Sequence, residues 1–180
     1  MPQRLATLVR ASDLGGAGSA NPLTLSMPVQ AMENWCWAAV SLAVAQFFGR
    51  HGYTQCSIAS ALAGTDCCAD PTAGTCDQQR SLKDALIAVN SFRDRLDGAT
   101  SFKDMETEID SQRPLGVRVQ WPDDGGGHFV AIAGYAADQG RSDVVVDDPL
   151  DGLRRTMPIG ELTDNYRNLG GSWTHSYFVQ

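Results

Sequence analysis

The sequence predicts an α+β fold, a helical first half followed by a β-rich second half, and three observations carry that reading. Residues 34–48 form an alanine-rich stretch that is apolar on nearly every side, as a helix buried at the centre of a domain is. From Pro114 onward the apolar period shortens to two, with Leu115, Val117, Val119 and Trp121 alternating with polar or small neighbours. Between them lies a turn-rich segment that holds Cys56, Cys67, Cys68 and Cys76.

The elements follow in order. Residues 1–22 are Gly/Ala/Ser-rich, end in Asn21-Pro22 and read as a flexible arm; residues 23–180 read as the folded domain. Within it a helical lobe is expected over about 23–112 and a β lobe over about 113–180. Residues 24–30 are expected to be extended, with Pro28 limiting ladder bonds. The 34–48 helix has Asn34 as its N-cap and Gly49 as its stop. A short helix is expected over 57–62, and another starts at Ser81, whose pairing with Asp84 matches a capping box. A helix over 102–111 ends before Pro114. Strands are expected at 115–121, 128–135, 144–147, 153–157 and 173–179, with a short helix near 159–166.

Composition excludes several roles. Fourteen Lys and Arg against 21 Asp and Glu leave a net charge of -7, which argues against nucleic acid and against a polybasic membrane attachment. It favours basic or neutral substrates. The most apolar stretch, 35–48, is too short to span a bilayer. No secretory signal is visible in the first twenty residues. Five cysteines, four of them clustered, nevertheless point to two disulfides, one free thiol and an oxidising compartment, so the protein is expected to be secreted or exported. Zinc is the competing reading of the cluster, but adjacent Cys67 and Cys68 do not make a Cys-x-x-Cys chelate. A bond between these neighbours is strained, so each is expected to join Cys56 or Cys76.

The odd thiol is Cys36, at the opening of the most apolar helix, where the helix dipole favours a thiolate. A small buried hydrophobe is the bland alternative. Gln30, six residues upstream, can aim its amide at the space beside the Cys36 N–H, as an oxyanion hole requires. His128 opens a strand after three glycines that leave room for a reacting partner. Asp147 and Asp148 end an apolar strand on opposite faces, so at most one can orient an imidazole.

This set, in this order, resembles the papain-like cysteine peptidases, in particular compact bacterial branches: staphopain-like enzymes, plant-pathogen effector proteases and relatives of the double-glycine leader peptidases. The resemblance rests on Gln30, Asn34-Trp35-Cys36-Trp37-Ala38-Ala39, the cysteine segment, Gly127-His128-Phe129-Val130 with Gly134-Tyr135, Asp148-Pro149 and Gly171-Ser172-Trp173-Thr174. It implies a helical lobe whose central nucleophile helix faces an antiparallel β-sheet lobe across a cleft. It implies Cys36 as nucleophile, Gln30 as oxyanion donor, His128 as base and acid, and Asp148 as orienting residue. Larger relatives follow their orienting residue with Ser-Trp, where this chain has Pro149-Leu150, so a shielding aromatic has to come from Trp173 or elsewhere.

The expected function is therefore cysteine endopeptidase, acting as a monomer on protein or peptide substrates without metal or organic cofactor. A thiol-dependent transamidase or cyclase, and a non-catalytic binding module, are the alternatives. An inhibitor or immunity partner is not legible. Leu14-Gly15-Gly16-Ala17 offers a site for self-cleavage after Gly16, against the alternative of an ordinary terminal tail.

Overall fold

The computed structural model describes residues 22–123, 126–138 and 140–180. The arm and its Gly16 lie outside the described residues. In chain order the elements are α1 (Cys36–Phe47), α2 (Gln55–Ala63), α3 (Leu82–Ala88), β1 (Phe92–Asp97), α4 (Phe102–Asp110), β2 (Leu115–Gln120), β3 (Gly127–Asp138), β4 (Arg141–Asp148), β5 (Leu153–Pro158), α5 (Ile159–Asp164) and β6 (Ser172–Val179). The class is α+β.

The sheet is antiparallel throughout, in the order β1-β6-β2-β3-β4-β5. Its centre is apolar because Leu115, Val117 and Val119 alternate with residues on the other face, and all three are buried. One strand comes from the half expected to be helical: β1 pairs with β6. Its sequence, Phe-Arg-Asp-Arg-Leu-Asp, shows no apolar alternation because five of its six residues are exposed at the sheet edge. Charges there also discourage pairing with another chain.

Helix α1 lies at the centre of the helical side, and ten of its residues are buried. That explains its uniformly apolar composition. Its cap differs from expectation. The N-cap position is Trp35, with no side-chain cap, and Asn34 instead bonds outward to the loop after Cys76. The Asn34 N–H donates to Asp77 Oδ1 (2.9 Å), and its Nδ2 donates to the Asp77 carbonyl (3.2 Å). Gly49, just past the C-cap Phe48, has φ +72, the left-handed conformation that stops a helix. At α3, Ser81 accepts from the Asp84 N–H, one half of the expected box. A full capping box is found at α2 between Thr54 and Ser57.

The segment before α1 is extended without joining a strand. Leu23, Leu25 and Met27 alternate inward, and single backbone bonds tie its ends to the sheet side: Leu23 N–H to the Ala133 carbonyl and Gln30 N–H to the Pro149 carbonyl. The cysteines form Cys56–Cys68 and Cys67–Cys76, leaving Cys36 free. No described helix is long and apolar enough to cross a membrane.

Candidate active site

The end of the site that carries Cys36 is built by the cysteine loop. Trp35 Nε1 donates to the Cys76 carbonyl (2.9 Å) and Trp37 Nε1 to the Gln78 carbonyl (3.0 Å). Both indoles are fully buried, so their N–H groups require such partners. The tryptophans on either side of Cys36 are thereby clamped to Cys76, where the Cys67–Cys76 disulfide closes its loop, and to Gln78 two residues beyond it. Cys36 itself is the first residue of α1, and its N–H has no carbonyl one turn earlier in the helix to bond.

The sheet end supplies an imidazole held from behind. His128, on β3, is buried, and its Nε2 lies 2.7 Å from Asp148 Oδ1, at the end of β4. Asp148 is fully buried and fully engaged. Its Oδ1 also accepts the Leu150 N–H (2.8 Å), and its Oδ2 accepts the Tyr166 hydroxyl (2.8 Å) and faces Arg167 Nε at 3.4 Å. Burial alone raises a carboxyl, but the bonds from His128, Leu150 and Tyr166 outweigh it and hold Asp148 at about 2. Burial likewise disfavours a charged imidazole, yet Asp148 and the Cys36 thiol raise His128 to about 9. With Nε2 on Asp148, the nitrogen left for the thiol is Nδ1.

Strand parity separates the two aspartates. Asp147 points away from His128 and takes a two-point bond from Arg154, at 2.7 and 2.6 Å. Arg154 also donates to the Leu25 carbonyl (3.1 Å), so this pair fastens the extended segment to the sheet. The other histidines are elsewhere. His51 is exposed, and His175 sits beside Thr174 and Asp97.

Gln30 lines the same cleft as Cys36 and His128, a hollow of about 430 Å³. Its Nε2 donates to the carbonyls of Met32 (3.1 Å) and Glu33 (2.6 Å), while its buried Oε1 has no partner.

Three residues beside the site were not singled out from the sequence. Trp121 stacks on His128, with ring centres 6.2 Å apart at 20°, and on Tyr166, also at 6.2 Å, at 30°. It is the aromatic shield, and it comes from the turn after β2. Trp173, the candidate for that place, instead donates to the Ser176 hydroxyl and the His175 carbonyl. Tyr166 and Arg167 come from the turn after α5. Their only sequence signal was an aromatic and a cation between a short helix and a strand. Among the described residues no cluster of His, Cys, Asp and Glu is arranged to hold a metal ion.

Comparison with known proteins gives this geometry its family. Residues 19–167 match the family model described as papain-like cysteine protease AvrRpt2. The chain belongs to this family. It is a papain-like cysteine peptidase, a hydrolase whose substrates are proteins or peptides. A search of the curated proteins finds no match. Among solved structures, a mite allergen from the comparison of Blo t 1 and Der p 1 superposes with TM-score 0.57 at 11% identity, covering 86% of this chain and 67% of the other. Procathepsin L 3 from the larval midgut of Tenebrio molitor gives 0.53 at 13% identity, covering 99% and 75%. Procathepsin L2 from the same tissue gives 0.53 at 14%, covering 93% and 69%. These likenesses show that the peptidase has the papain-like fold.

Proposed function

We propose that this peptidase is an endopeptidase working through Cys36, His128 and Asp148, with Gln30 and the Cys36 N–H receiving the oxyanion. One observation carries the reading: a buried imidazole, fixed by a buried carboxylate at 2.7 Å, shares a cleft with the free thiol that opens the central helix. The Cys36 thiolate attacks the peptide carbonyl carbon, a C–S bond forms, and the carbonyl electron pair moves to oxygen. His128 then gives its Nδ1 proton to the amine as the C–N bond breaks. Water, deprotonated by His128, attacks the thioester and frees the acid and the Cys36 thiolate. Asp148 keeps the imidazole aimed throughout.

Gln30 joins by exchange. It gives up a bond to a neutral carbonyl of Met32 or Glu33 and makes one to the oxyanion, and a charged acceptor forms a bond roughly twice as strong. The two disulfides support export to an oxidising compartment, and the peptidase acts as a monomer.

The test is hydrolysis of a peptide mixture by wild-type and Cys36→Ala protein, with folding followed by circular dichroism. Cleavage that vanishes in a folded Cys36→Ala variant is expected. Undiminished cleavage overturns the mechanism, and a product carrying an added amine in place of water moves the assignment to a transamidase.

A further inference from the structure

Two arginines in the cleft have no part in the chemistry and no acidic partner among the described residues. Arg118, on β2, donates from Nη1 to Thr174 Oγ1 (3.0 Å) and from Nη2 to Gln120 Oε1 (2.7 Å), both neutral acceptors. It joins none of the ion pairs among the described residues. A guanidinium has five N–H donors, so part of its fork is uncommitted. Arg80 donates to the carbonyls of Leu62 (3.0 Å) and Thr75 (2.8 Å), and its buried Nε has no partner. Both line the cleft together with Cys36 and His128. The one carboxylate among the lining residues is Glu33, which is exposed.

The place of Arg118 is built into the backbone. A Cβ at Gly127 would come within 2.7–2.8 Å of its Nη2, Cζ and Nε. The guanidinium therefore rests flat against the glycine that precedes His128, and any side chain there would displace it. Arg118 sits opposite Phe129 in the β2–β3 ladder, one residue past His128. Arg118 lines the same cleft as Cys36, and an extended peptide advances about 3.3 Å per residue, so the position to probe is about two residues from the scissile carbonyl.

We propose that this edge of the cleft is a subsite for an acidic side chain, in which Arg118 receives the carboxylate of a substrate glutamate or aspartate, with Arg80 adding positive charge nearby. The proposal rests on the peptidase reading and names its selectivity. It also amends the expectation drawn from the chain's charge of -7, which favoured basic or neutral substrates. Surface charges beyond a Debye length of about 10 Å are screened, whereas a guanidinium inside a cleft meets the substrate directly. Arg118 has the planar fork that suits a carboxylate at two points.

The test uses two peptidyl acyloxymethyl ketones that differ only in Glu or Gln at the residue preceding a glycine next to the reactive carbonyl, and reads the rate at which each alkylates Cys36. Wild-type protein is expected to react about tenfold faster with the Glu probe. The ratio falls to near one in Arg118→Met, and Arg118→Lys retains part of the preference. Equal rates in wild type, or a Glu preference undiminished in Arg118→Met, overturn the subsite. NMR titration of the Cys36→Ala protein with the corresponding unreactive peptide amides reads the same preference without chemistry. A failed nucleophile assignment thus shows as unreactive Cys36 with the Glu preference intact, and a failed subsite as its absence in both measurements.

Discussion

The two flanks of the cleft are stiffened by different means. On the helical flank, α1 is apolar on nearly every side, and its start is fixed by two indole N–H bonds to the backbone at and just past the disulfide-bonded Cys76. On the sheet flank no covalent bond contributes, and the imidazole is aimed by a buried polar network of His128, Asp148, Tyr166 and Arg167. Asp151 extends that network by taking both Arg155 and Arg167. The difference follows from the task that the proposed mechanism gives each flank. A nucleophile at a helix start only has to stay in place, so packing and a staple suffice. An imidazole that gains and loses a proton needs a partner of opposite charge, and a buried charge persists only when its remaining lone pairs are satisfied.

The two aspartates of β4 break the comparison most sharply. Asp148→Ala is expected to lower kcat/KM about 10³-fold or more, because an unoriented imidazole loses its tautomer and its aim. Asp147→Ala should leave activity within a few-fold and instead lower stability by about 1 kcal/mol, since it removes the two-point partner of the half-exposed Arg154 that fastens the segment before α1. Parallel kinetics and urea unfolding of the two variants decide this. Similar losses of activity in both would mean that the sheet flank orients nothing.

The helical flank should answer to reduction. The Cys67–Cys76 loop spans 9 residues and Cys56–Cys68 spans 12, and each closure is worth about 3 kcal/mol in chain entropy. Cys67→Ala/Cys76→Ala is expected to cost both stability and activity, since Trp35 and Trp37 bond the backbone beside Cys76. Cys56→Ala/Cys68→Ala should cost stability at nearly full activity, because its disulfide lies farther along the chain from those acceptors. Chemical denaturation with matched peptide hydrolysis checks the pair, and equal activity losses would remove the brace from the account.

What could be read from the chain divides along the same line. Cys36, His128 and Asp148 each stand at the end of an apolar run, and that context singled them out as candidates in the sequence. Tyr166, Arg167 and the shielding role of Trp121 were hidden, because they meet Asp148 and His128 only when the sheet brings distant turns together. The same reason hid the true partner of Asn34, Asp77, which lies 43 residues away. Strand β1 was missed on physical grounds too: an exposed edge carries no apolar alternation to read. The pairing of Cys67 and Cys68 with different partners was legible from the strain of joining neighbours, while the choice between Cys56 and Cys76 depended on the folded loop.

The smallest expected effect concerns pH, and it tests the sheet flank alone. His128 is raised to about 9 from 6.5, so the imidazolium that protonates the leaving amine persists through neutrality and is lost as pH rises through about 9. The same shift contributes stability that is fully present below about 6.5 and fades between 6.5 and 9, as linkage requires of a group whose folded pKa is raised. Asp148 has the opposite sign: its stabilisation is present above 3.8 and is lost as pH falls toward 2. Activity should therefore show an alkaline limb near pH 9. Trp121→Leu removes the ring that shields the Asp148–His128 pair from water, which weakens the attraction between them. Wetting the pair also eases the burial that disfavours the imidazolium, so the limb should move off pH 9 by the balance of the two, with only a several-fold loss of kcat/KM at neutrality. A pH profile unchanged by Trp121→Leu would show that the polar network holds the imidazolium without its aromatic cover, and would leave Trp121 a packing residue.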